Sequence, residues 1–75
     1  MVYNEELKSF HFVENIQGRA YNFLITQNEF SYSIEQDGVI IGEIQWDEPW
    51  KQIGGGPLSP KIIELVGDKI EATFW

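Results

Sequence analysis

Apolar and polar positions alternate through most of residues 20–46. Tyr21, Phe23 and Ile25 stand against Asn22, Leu24 and Thr26. Phe30, Tyr32 and Ile34 stand against Ser31, Ser33 and Glu35. Ile40, Gly42, Ile44 and Trp46 stand against Ile41, Glu43 and Gln45. Side chains on a strand point to opposite faces with period two, so this pattern predicts three consecutive strands, each with one apolar face. Ser9 to Val13 reads as a strand before them, with Phe10 and Phe12 on one side and His11 and Val13 on the other. Residues 1–9 read as a loose lead-in, and Glu14 to Arg19 as the loop after the first strand.

Two registers follow if apolar residues are to face one another. Pairing Ile25 with Phe30, Phe23 with Tyr32 and Tyr21 with Ile34 leaves Thr26 to Glu29 as a four-residue hairpin loop. Asp37-Gly38 invites a two-residue type I′ turn, but that turn would pair Gln36 with Val39 and set Tyr32 opposite Glu43 and Phe30 opposite Gln45. A one-residue slip exchanges the faces of a strand. A three-residue loop, Gln36-Asp37-Gly38, avoids this. It pairs Ile34 with Ile40, Tyr32 with Gly42 and Phe30 with Ile44, and the Tyr32 ring then covers the bare backbone of Gly42.

Past Trp46 the alternation stops. Asp47-Glu48-Pro49-Trp50 reads as a turn, Lys51-Gln52-Ile53 as a short extended piece and Gly54-Gly55-Gly56-Pro57 as a flexible connector. From Ser59 the period becomes helical. Ser59 is an N-cap, Pro60 suits the first helical position, and Leu58 and Ile63 occupy the two positions of a hydrophobic staple. Ile62, Ile63, Leu65, Val66, Ile70 and Phe74 share one side of the wheel, opposite Lys61, Glu64, Asp68 and Glu71. A hairpin turning at Gly67-Asp68 is the competing reading. The expected fold is a single α+β domain over residues 1–75: an antiparallel meander of three to four strands, covered on its aromatic face by one C-terminal helix.

Composition fits that fold and narrows the function. Seventy-five residues with no cysteine must be held by an apolar core alone, and eleven aromatic residues supply it. A net charge of −7 argues against nucleic acid or an anionic membrane as partner. No basic start followed by an apolar run opens the chain, so a cytoplasmic location is the default expectation. His11 is the only histidine, and none of Ser9, Ser31, Ser33 and Ser59 sits in a nucleophile elbow. The glycine run matches neither phosphate-binding spacing, and two adjacent acids do not make a cation loop. No catalytic residue, metal ligand or cofactor is therefore assigned, and the chain is expected not to be an enzyme.

The tryptophans point elsewhere. Trp46 falls on the core face. Trp50 is flanked by Asp47, Glu48 and Lys51, and Trp75 follows the helix. Tryptophans at a surface supply large contact area at low entropic cost. The expected function is a small acidic interaction module that uses Asp47, Glu48, Trp50, Lys51 and Trp75 toward a basic protein, with a homodimer through an open sheet edge as a further association. On that reading, Trp50→Ala weakens partner capture and leaves melting nearly unchanged. The alternative is a glycan-binding or glycan-acting protein using Trp50 with carboxylates drawn from Glu43, Asp47 and Glu48. An acidic mimic of nucleic acid would need a dense carboxylate stripe, whereas these acids are scattered.

Overall fold

A computed structural model describes residues 8–75. The chain forms strands β1 (Ser9–Ile16), β2 (Arg19–Gln27), β3 (Tyr32–Gln36), β4 (Val39–Trp46) and β5 (Trp50–Gly55), then helix α1 (Pro60–Phe74). The strands make one antiparallel five-stranded meander in chain order, with the helix packed on one face. The sheet therefore exceeds the expected three to four strands. Most of the lead-in expected over residues 1–9 lies outside the described residues, and Ser9 already belongs to β1.

The first hairpin is tighter than the sequence suggested. Only Gln17 and Gly18 form its loop, both with positive φ (53° and 83°). That is the backbone of a two-residue type I′ turn, so Glu14 to Ile16 and Arg19 are strand residues rather than loop.

The second hairpin departs by four residues along the ladder. Ile25 pairs with Ile34 and Gln27 with Tyr32, in place of Ile25 with Phe30. The Asn28 amide donates to the Ser31 carbonyl at 2.8 Å, and the Asn28 side-chain amide donates to the Ser33 hydroxyl at 2.8 Å. Those bonds close a short turn with Glu29 and Phe30 at its tip. An even shift keeps the faces unchanged, so Phe23, Ile25 and Ile34 still share the core side while Phe30 leaves it.

The third hairpin does use the two-residue Asp37-Gly38 turn, with φ of 49° and 85°. Gln36 pairs with Val39 and Glu35 with Ile40, and the ladder then skips Ile41 so that Ile34 meets Gly42 and Tyr32 meets Ile44. This bulge restores the parity that an unbroken ladder would lose. Leu58, not Tyr32, closes over Gly42: a Cβ there would stand 2.8 Å from the Leu58 Cδ1.

The expected connector is partly a strand. Gly54 and Gly55 continue β5, with a second bulge at Ile53. Gly55 has φ of +87°, and a Cβ at that position would lie 2.5 Å from the Gly42 Cα. Only glycine fits there.

The helix follows its sequence signals. The Ser59 hydroxyl accepts the Ile62 amide at 3.2 Å, and Pro60 opens the first turn. Phe23, Ile25, Ile34 and Ile44 of the sheet meet Val66 and Ile70 of the helix in a fully buried core. A chain of ring contacts extends from this core along the helix-facing side, running Phe23, Phe12, Phe10, Phe74, Tyr32, Trp50, Trp46 and Trp75.

Gly67 is buried because the Trp50 indole lies directly against it, where a Cβ would collide with the ring. Helix propensity alone gives Gly67→Ala a gain of about 1 kcal/mol. The indole reverses the sign, and an overpacking loss of about 1–3 kcal/mol is expected instead. Urea melts of the two proteins check this, and a more stable alanine variant would show that Trp50 is not seated there.

Candidate functional site

The residues expected at a binding surface separate when the chain folds. Trp50 is the first residue of β5, directly opposite Trp46 on β4. Its ring is half-buried, packed on Gly67, and its Nε1 donates to the Glu71 carboxylate at 3.0 Å. The indole thus ties the sheet to the helix. Asp47 and Glu48 are exposed in the turn between the two tryptophans. Lys51 alternates with Trp50 along β5 and pairs with Gln45, so it lies on the opposite sheet face and does not join the tryptophans.

Trp75 does reach a shared surface. Its amide donates to the Glu71 carbonyl at 3.2 Å, which caps the helix and sets the side chain beside the sheet. The Trp75 ring meets Trp46 edge-on at 4.8 Å between centroids and Trp50 at 5.7 Å. Trp75 remains 60 % exposed and Trp46 44 % exposed. Phe30 is 82 % exposed at the tip of the β2–β3 turn. These three rings, with Tyr32, line one recess of about 190 Å³ whose charged lining residue is Glu29.

The period of the strand places Phe30 on the core side, and the fold does not. Phe30 fits the period of Tyr32 and Ile34, and that coincidence hides its place in a turn. The available signal was Asn28 and Ser31, two turn-forming residues that bracket it. Trp46 lies on the expected face, but beyond the reach of the helix, so its edge stays open.

A second cleft, of about 490 Å³, runs beside Trp50 and is lined by Pro49, Pro60, Ile63, Glu64, Asp68 and Glu71. Its carboxylates follow one another along a single helix ridge. Glycoside cleavage needs two carboxyl groups facing each other across the scissile bond, which one ridge does not provide. Glu43 is engaged on the other sheet face, where it accepts the Ser31 hydroxyl. Among the described residues, no three His, Asp or Glu side chains are grouped so as to hold a metal ion. His11 lies exposed on the outer face of β1. Within the described chain, no helix is long and apolar enough to cross a membrane.

Comparison with known proteins finds no matching family, no similar curated protein and no similar solved structure. The local geometry is what remains to argue from. An aromatic recess with Glu29 in its lining offers flat π faces and negative charge together, a combination that suits a cationic side chain with an apolar stem.

Proposed function

We propose that this protein is a small, acidic, non-catalytic interaction module that docks a basic protein segment through Phe30, Trp46 and Trp75. The observation that carries this reading is the convergence of three large, exposed aromatic side chains on one recess. Isolated exposed hydrophobic residues are ordinary on any surface, but clustered aromatics are the residue types that dominate interface energies. The hydrogen-bonded turn at Asn28–Ser31 holds Phe30 outward, so binding need not order a loose loop. Glu29 gives the recess its sign, and the net charge of −7 steers a basic partner toward it. Trp50 serves as the floor beneath Trp46 and Trp75 rather than as a contact.

The test is an NMR titration with an arginine-rich peptide, repeated with an acidic peptide of equal length. Shifts confined to Phe30, Tyr32, Trp46 and Trp75, weakened by salt and absent with the acidic peptide, are the expected result. Phe30→Ala should abolish most of the response while changing stability by no more than about 0.5 kcal/mol, because the side chain covers no core. A response that survives Phe30→Ala and Trp75→Ala together, or that ignores salt, would overturn the reading.

A further inference from the structure

The two edges of the sheet are not alike. β5, at one edge, is bulged at Ile53, ends in Gly54-Gly55 and carries Lys51. Each of these features discourages pairing with another strand. β1, at the other edge, is eight residues long, with no proline, no glycine and a single acid, Glu14. Of the usual protections of an edge strand it carries one charge, Glu14, and no proline, glycine or bulge.

The direction of its backbone groups can be derived. The Gln27 amide donates to the Lys8 carbonyl at 2.8 Å, and these two residues continue the β1–β2 register, in which Ser9 faces Thr26. Lys8 is therefore a hydrogen-bonded position on the β2 side. Such positions alternate in an antiparallel ladder, so Phe10, Phe12, Glu14 and Ile16 also turn their amides and carbonyls toward β2. Ser9, His11, Val13 and Asn15 turn theirs outward, to an edge with no neighbouring strand among the described residues.

We propose that a second copy of this chain occupies that edge, with the two β1 strands antiparallel about a two-fold axis at Phe12. In this register Ser9 pairs with Asn15 of the other copy and His11 with Val13, so every outward-facing residue of β1 finds a partner. The axis sets the two Phe12 side chains opposite each other at a non-hydrogen-bonded position, where side chains approach most closely. Phe10 and Phe12, half-buried on the helix-facing side with the Lys69 ammonium 5.2 Å from the Phe12 ring centroid, then meet their counterparts across the axis. Charge fits as well, because Lys8 of each copy lies diagonal to Glu14 of the other, within reach of a long side chain. The result is one continuous ten-stranded sheet with both helices on the same face. This assembly uses no residue of the Phe30–Trp46–Trp75 recess and stands or falls separately from it.

The experiment is light scattering on the full chain from about 5 µM to about 500 µM, the range in which small interfaces exchange, with amide exchange measured at both ends. The mass should rise toward twice the 8.7 kDa of one chain. The amides of Ser9, His11, Val13 and Asn15 should gain protection with it. Val13→Pro removes an outward amide and no bond to β2, and Val13→Lys places like charges diagonally across the axis. Both should remain monomeric with the wild-type circular dichroism spectrum, and the lysine variant keeps the test valid if the proline variant fails to fold. A mass of one chain throughout, a dimer untouched by Val13→Lys, or protection of the four amides that does not depend on concentration would each overturn the proposal.

Discussion

Phe23→Ala is expected to remove about 3–5 kcal/mol of folding free energy. Phe23 sits in the middle of β2 and is 1 % exposed. Its ring stacks on Phe12 at 5.1 Å, and it shares the core with Ile25, Ile34, Ile44, Val66 and Ile70. The loss includes both the transfer of the ring and the cavity left behind, since neighbours in a sheet held by hydrogen bonds collapse only partly. A domain of this length commands roughly 4–11 kcal/mol in total. The variant should therefore melt about 15 °C or more below the wild type, or fail to fold at 37 °C. Thermal melts followed by far-UV circular dichroism decide this. A melting temperature within a few degrees of wild type would show that Phe23 does not face the helix.

Trp50→Ala is the second large effect, and it reverses what the sequence led us to expect. Placed beside Asp47, Glu48 and Lys51, Trp50 reads as a contact residue whose loss would spare stability. In the folded chain its indole packs on Gly67, meets Tyr32 edge-on at 5.6 Å and Trp46 at 5.3 Å, and donates to Glu71. Removing it opens a hole between sheet and helix and leaves Glu71 without its donor. A loss of about 2–4 kcal/mol is expected, below that of a fully buried tryptophan because the ring is half-buried. Urea denaturation measures it directly. An unchanged midpoint would return Trp50 to the surface. The same hydrogen bond separates two contributions: Trp50→Phe keeps most of the packing and loses only the donation, so it should cost about 0.5–1.5 kcal/mol.

Much of the fold was legible because its signals are local. The alternation from Tyr21 to Ile25, at Tyr32 and Ile34, and from Gly42 to Trp46 assigns faces correctly, whereas Ile40, expected opposite Ile34, pairs with Glu35 beyond the bulge and is exposed. Ser59-Pro60 fixes the start of the helix. Register was harder. Faces depend only on parity, so sliding β3 by four residues along β2 left every core residue of those strands on its proper side. Nothing in the apolar pattern distinguishes the two ladders. The Asp37-Gly38 turn conflicts with the apolar pattern in an unbroken ladder, and skipping Ile41 reconciles it with the buried positions of Ile34 and Ile44. Bulges carry no composition signal of their own here.

The candidate site was legible in kind and not in place. Trp75 lines the aromatic recess and Asp47 and Glu48 stand exposed in the turn after Trp46, while Lys51 faces the other way and Trp50 packs under Trp46 and Trp75. Phe30, the most exposed large apolar residue among the described residues, is hidden by its fit to the strand period. The reason is physical. Exposure is decided by where the helix ends and which turn lifts a ring clear of it, and both depend on contacts between residues far apart in the chain. Gly67 shows the same dependence. By propensity it is a flaw in a helix, and by contact it is the seat of Trp50.

That seat is where sheet and helix are joined, and one measurement reports on it without altering the protein. The Gly67 α-protons lie against the Trp50 indole, so the ring current should shift them far from ordinary glycine values, with nuclear Overhauser contacts to the indole protons. Gly67 α-protons at ordinary shifts, with no contact to Trp50, would show that the helix does not rest on β5 and that Trp50 is free at the surface.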